Sequence, residues 1–156
     1  GIMHKAMDYV IEQKGLHSND DYPYVGVDNN CTRKHNITKV MGSNISKYEF
    51  IIPKSALDIM ISVSKTPVAI GLDANNFYFR FYKTGVIDVP SNFSKTLNHA
   101  VLLVGYDYDD KGFYWIIQNS WGKTWGENGF CKLRMKDNLD SEGTLMCQVY
   151  GVYPTK

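Results

Sequence analysis

Two polar side chains at the ends of apolar runs are the first residues that could do chemistry. His99 heads the run "HAVLLVGY", and Asn119 closes the run "YWIIQN". Singly, each has an ordinary reading. A histidine there can cap a strand by bonding a backbone group, and an asparagine at a strand end can turn the chain. Together they offer more. A neutral imidazole needs a partner on one nitrogen to set its tautomer and aim the other. Asparagine can be that partner, as aspartate can, when the histidine works as an ion pair with a thiolate. The imidazolium in such a pair makes the thiol ionise well below its ordinary range, so the nucleophile is charged before substrate arrives. Water weakens a His–Asn bond of this kind, and Trp121, two residues beyond Asn119, is a flat side chain able to cover it.

The elements that would hold these residues can be read from the pattern. The chain has 156 residues, enough for a domain with a real core. Met3, Ala6, Met7, Val10 and Ile11 recur at helical spacing, and Gly15 is a natural stop. The stretch "SNDDYPYVGVDNNCTRKHN" is rich in turn residues and reads as an irregular loop, while "KVMGSNISKYEFII" has room for short strands. Pro53 is placed to open a helix through "KSALDIMISVSK", with Ala56, Leu57, Ile59, Met60 and Val63 on its apolar face. "VAIGLDA" reads as a buried strand and "FYFRFY" as extended chain. From Asn98 onward "HAVLLVGY", "GFYWIIQN", "GFCKLRM" and "MCQVYGVYP" all have strand-like patterning. Helix first and strands later predicts an α+β domain with an antiparallel sheet or barrel.

Composition excludes other roles. The net charge is +1 with no cluster of Lys and Arg, which argues against a nucleic-acid surface. No apolar run reaches the length of a membrane span. The opening "GIMHKAMDYV" lacks the charged start and apolar block of a signal peptide. The four histidines are scattered, no Cys/His spacing matches a zinc site, and no metal or cofactor is expected. Three cysteines, Cys31, Cys131 and Cys147, leave one thiol free or paired outside the chain. Asn-x-Ser/Thr sequons at Asn30, Asn36, Asn44 and Asn92 suit a secretory glycoprotein, or go unused in an Asn-rich chain.

The segment "LNHAVLLVGYD" followed by "YWIIQNSWGKTWGENGF" resembles the histidine and asparagine motifs of papain-like cysteine proteases, the cathepsin group. "GIMHKAMDYV", "DYPYVGVDNNC" and "VYGVYPTK" resemble the same family, so the likeness covers essentially the whole chain. It implies a papain-like fold: residues 1–25 as the end of the helical domain and a cleft-lining segment, residues 26–156 as the barrel domain. It implies a peptidase in which His99 is general base and acid and Asn119 orients it. Trp121 would shield their bond and form part of the leaving-group side. The glycines of "WGKTWGENG" would let that loop fold tightly, with Trp125 packed as core.

The resemblance also marks a departure. The family's nucleophile lies in a Gln…Cys-Gly-x-Cys-Trp segment that has no counterpart here, and none of the three cysteines precedes a tryptophan. The chain is therefore expected to start roughly 60–70 residues into a typical mature enzyme, a domain-scale offset. The oxyanion-hole Gln is expected to be missing with that segment. By resemblance, Gly1 would bond an extended peptide in β-ladder fashion. Ile2 and Met3 would line the main specificity pocket, with Gly71, Leu97, Asn98, Ala100 and Val152 as further substrate-binding residues. The pocket residues are mostly apolar or small and favour a bulky apolar side chain; the competing reading is that they are core, above all Leu97 and Ala100. Cys31 matches a family cysteine whose partner lies in the absent segment. Cys147 matches another, but its usual partner would stand near Pro90 or Ser91, where there is none. Cys131–Cys147 is then a candidate disulfide, provided their strands are neighbours with Cα atoms within about 7 Å.

These readings lead to a cysteine-type peptidase acting on peptide or protein substrates. Its nucleophilic Cys would come from a second chain or a missing N-terminal segment, and its compartment would be lysosomal, vacuolar or extracellular. Alone, the chain would be inactive and would expose a sticky, partly apolar face. The alternative is a non-catalytic papain-like binding protein that keeps half of the substrate cleft. A structural glycoprotein using its aromatic surface is a weaker third reading.

Overall fold

Met3, Met7, Val10 and Ile11 do form one half-buried face of a helix, α1 (Met3–Gln13). It ends where the sequence suggests: Lys14 turns left-handed at φ 57°, and Gly15 follows at φ 125°. The Gly15 N–H bonds to the Val10 carbonyl and the Lys14 N–H to that of Ile11, which satisfies carbonyls the helix leaves open. A Cβ on Gly15 would stand 2.8 Å from Ser43 Oγ, so glycine is required there for space as well as conformation. The computed structural model describes residues 1–31, 39–90, 96–136 and 141–156. They group into two compact units, Gly1–Tyr48 with Pro154–Lys156, and Glu49–Tyr153. Asn30 and Asn44 are exposed, whereas Asn36 and Asn92 lie outside the described residues.

Most of the sheet falls within the second unit, apart from Lys47, Tyr48, Pro154 and Thr155 at the ends of two strands of the sheet. Its strands are β1 (Lys47–Phe50), β2 (Val68–Leu72), β3 (Val86–Ile87), β4 (His99–Asp109), β5 (Gly112–Gln118), β6 (Phe130–Arg134) and β7 (Gly151–Thr155), in the order β1-β7-β2-β4-β5-β6-β3. The β2–β4, β2–β7, β4–β5 and β5–β6 pairs are antiparallel, and β3 joins β6 in parallel. The fold is α+β. Val68, Ile70, Leu72, Leu103, Trp115, Ile117 and Leu133 are almost wholly enclosed, each contributing about 1.5–3 kcal/mol of burial.

Three local expectations are corrected. Pro53 does not open the second helix. Lys54 takes φ 63°, and α2 (Ala56–Val63) starts three residues after the proline behind Ser55, whose Oγ accepts the Asp58 N–H. "FYFRFY" is not extended: Phe77–Arg80 is a helical turn, α3, capped by Asn76 Oδ1 accepting the Tyr78 N–H at 2.9 Å. "MCQVYGVYP" is not one strand either, because Thr144–Met146 is a short 3-10 turn with Leu145 at φ 58°, and β7 begins only at Gly151.

That last correction bears on the cysteines. Cys147 stands beside a turn and not on a strand, and the neighbours of β6 are β5 and β3. The Cys131–Cys147 disulfide is not formed. Both thiols are free and buried, and Cys31 is free and exposed. Burial pushes Cys147 up to about 12 and raises Cys131 as well. Neither has the electropositive, accessible surroundings that activate a thiolate.

Candidate active site

Sheet register brings the two polar residues together. Leu102 lies opposite Gln118, so Asn119 falls opposite Val101, and His99 is its diagonal neighbour on the same face. The result is a 2.8 Å hydrogen bond between His99 Nε2 and Asn119 Oδ1. Asn119 Oδ1 also accepts the Ser120 N–H at 2.8 Å, which identifies that atom as the amide oxygen. An oxygen acceptor requires the proton on His99 Nε2. Nδ1 is then the ring nitrogen left to take or give a proton. Asn119 is buried and His99 half-buried, as a pair protected from water on one side must be.

Aromatic rings close that side. Trp121 lies 5.1 Å from the His99 ring, tilted by 35°. Phe79, fully buried, meets His99 edge-on at 6.1 Å and Trp121 at 5.4 Å. Trp125 packs 4.9 Å from Phe79, and its Nε1–H donates to the Phe79 carbonyl at 3.2 Å. Trp125 is packed against the core, as expected of it. Phe79 escaped the sequence reading, which took its segment as extended. The signal was present as Asn76, a good helix cap, followed by Phe77 and Phe81 one turn apart.

The Asn98 side chain fastens the strand just before His99. Its Oδ1 accepts the Ala74 N–H at 2.8 Å and its Nδ2 donates to Asp73 Oδ1 at 2.6 Å. Ala74, Asn75, Arg80, Phe81, Asn98, His99 and Trp121 line an open groove of about 550 Å³.

The pocket residues expected from sequence fall into two sets. Gly71 pairs with Ala100 and Ala69 with Val152, and Ala69 and Gly71 point the same way along β2. Gly71, Ala100 and Val152 therefore share one sheet face, opposite to that of His99. Leu97 reaches over Gly71, with Cδ1 3.4 Å from where a Cβ would stand. Ala100 and Leu97 are exposed, but Val152 is fully buried. Gly1, Ile2 and Met3 belong to the first unit, at the start of α1; Gly1 and Ile2 are exposed and Met3 is half-buried.

An imidazole held in one tautomer by an enclosed amide, roofed by tryptophan and open to a groove, has the arrangement that proton transfer requires. The chain belongs to the papain family of cysteine proteases, whose family profile, described as "Papain family cysteine protease", matches residues 1–152. It is 39% identical to rat cathepsin J over 143 residues, covering 88% of this chain and 42% of that protein. It is 36% identical to human cathepsin L2 over 144 residues, again covering 88% of this chain and 42% of the relative. The chain thus spans less than half the length of these curated relatives. Among solved structures it resembles the bromelain protease from Ananas comosus, determined with an inhibitor, at TM-score 0.89 and 32% identity over 99% of this chain and 69% of that one.

Proposed function

We propose that this chain supplies the histidine–asparagine half of a cysteine peptidase site that hydrolyses peptide bonds. The observation that carries the reading is the 2.8 Å bond from His99 Nε2–H to Asn119 Oδ1 beneath Trp121, which leaves Nδ1 available. His99 would hold a thiolate as an ion pair, protonate the leaving amine, then take a proton from the water that releases the acyl group. Asn119 orients His99, and Trp121 shields their bond on the leaving-group side.

The nucleophile in this reading comes from a further N-terminal segment or a second chain, joined through Cys31. Cys131 and Cys147 are buried with raised pKa values, which makes them poor candidates for the role. Residues 1–25 would be the end of the helical domain and a cleft-lining segment, and residues 26–156 the barrel domain. Gly1 would pair with the substrate backbone. Gly71, Leu97, Asn98, Ala100 and Val152 would be substrate-binding residues of the second unit, and Ile2 and Met3 of the first. A lysosomal, vacuolar or secreted location agrees with the exposed sequons at Asn30 and Asn44. A second reading, a binding protein that keeps half a cleft, needs no activated thiol, and burial raises both Cys131 and Cys147.

The test is the intact mass of purified material, non-reduced and reduced, with labelling by an epoxide that traps activated thiols. A second polypeptide released by reduction and carrying the label supports the two-part peptidase. A single chain that takes no label sinks it and advances the binding protein.

A further inference from the structure

The loop from Ser120 to Gly129 carries Trp121 but has little regular backbone pairing. Its internal bonds are Trp125 N–H to the Gly122 carbonyl, Gly129 N–H to the Trp125 carbonyl, and the Glu127–Phe130 bridge. The Asn119 N–H to the Gly129 carbonyl ties its base and the Trp125 Nε1–H to the Phe79 carbonyl ties its middle, and one further side chain collects an unusual number of donors. Glu127 Oε1 accepts from Tyr82 Oη–H at 2.9 Å, Thr84 Oγ1–H at 3.0 Å and the Gly85 N–H at 3.1 Å. Its Oε2 pairs with Lys132 Nζ at 2.9 Å. These donors come from the segment after α3 and from β6, so a single carboxylate joins three pieces of chain.

The clamp connects to the site through stacked rings. Tyr82, held by Glu127, packs 5.7 Å from Trp125; Trp125 lies 5.6 Å from Trp121; and Trp121 lies 5.1 Å from His99. Between them, Gly126 leaves no slack. A Cβ there would stand 2.5 Å from the Phe130 carbonyl oxygen and 2.9 Å from the Tyr82 ring. Loop and Tyr82 segment are in direct contact, so a shift of one displaces the other.

We propose that Glu127 is a positioning residue for the His99–Asn119 pair, its carboxylate clamping the Ser120–Gly129 loop so that Trp121 keeps its seat over His99. This rests on the reading of those two residues as the proton-transfer pair, but it concerns a different side chain that touches neither. Charge-assisted bonds suit the task, since they are shorter and stronger than neutral ones and fix direction.

The test is NMR of the full 156-residue chain, reading the His99 ring C–H protons, which feel the ring current of Trp121. Trp121→Ala marks the signal position with the indole gone. Asp109→Asn, which breaks the distant pair between Asp109 and Arg134, controls for general destabilisation. Glu127→Ala should move the His99 signals most of the way to the Trp121→Ala position. Glu127→Gln and Lys132→Met should move them part of the way, and Asp109→Asn should leave them in place. Wild-type His99 signals in Glu127→Ala overturn the proposal, as does an equal shift in Asp109→Asn. If Glu127→Ala does not fold, Lys132→Met decides in the same way, because it removes one donor and keeps the carboxylate. No substrate or nucleophile enters this measurement, so a failure of the peptidase reading is seen separately.

Discussion

The Asn119 amide oxygen receives two hydrogen bonds of equal length, from His99 Nε2 and from the Ser120 N–H, both at 2.8 Å. The second bond gives the first its meaning. With Ser120 holding the oxygen in place, Asn119 cannot flip to offer its NH₂ without losing a backbone donor, so the imidazole is confined to one tautomer.

Replacing Asn119 by Ala should therefore harm turnover more than folding. Losing a hydrogen bond to a group that becomes charged costs about 1.5–3 kcal/mol, on the order of 10- to 100-fold in rate. On the proposed peptidase reading, the kcat of an enzyme assembled with this chain should fall by that factor with KM little changed. An unchanged kcat would remove Asn119 from the mechanism.

Phe79 acts from below. It is fully enclosed among Trp121, Trp125 and His99. Phe79→Ala should cost about 3–5 kcal/mol as a cavity, lowering Tm by roughly 6–20 °C for a chain of this size. Phe79→Leu should recover most of it. Calorimetry of the three proteins reads the difference.

Acid stability should depend on Glu127. The bond to Lys132 first, then those from Tyr82, Thr84 and Gly85, hold its carboxyl down at about 2. A carboxyl lower in the folded chain than in the unfolded one stabilises fully above the unfolded value, near 4.5, and the gain is lost as pH falls toward 2. Solvent screening limits it to about 1–2 kcal/mol. Tyr82, raised by burial and by Glu127, keeps its proton throughout this range. Urea melts from neutral pH down to pH about 2 should show a shallower loss of stability for Glu127→Gln than for wild type, with the two curves converging at the acid end. Parallel curves would count against the clamp.

If Leu97 lines the proposed pocket, preference should follow it; its Cδ1 lies 3.4 Å from where a Cβ on Gly71 would stand. Leu97→Ala opens that wall. The ratio of kcat/KM for larger over smaller apolar side chains should rise by about 10-fold or more, since even one methylene in an apolar pocket is worth about 1–3 kcal/mol and this change removes three carbons. A peptide library scan of both proteins checks it, and identical profiles would place Leu97 outside the pocket.

Much of the positioning frame was legible from residue pattern. The helix stopped by Gly15, the buried strand "VAIGL", the strand ending just before Asn119 and the strand starting at His99 all carry strong periodicity or clear stops. Short elements were not legible. Aromatic composition suggests strand for "FYFRFY", yet the Asn76 cap and the packing of Phe79 under Trp125 outweigh that preference. Likewise, nothing local marks the left-handed Leu145 and Met146 at the head of the last apolar run before β7.

The sequence by itself determined which residue types were available: a histidine and an asparagine at strand ends, a tryptophan two residues on, glycines to bend the loop, and no cysteine in the family's nucleophile setting. Only the tertiary structure decided which atoms meet. The register of β4 on β5 sets His99 diagonal to Asn119, and the turn before Cys147 takes it off any strand beside β6. Glu127 looks in sequence like any surface carboxylate, and its donors lie 42 to 45 residues before it and five after it. Contacts over such separations depend on how strands pair and side chains pack, and local sequence preference does not contain them.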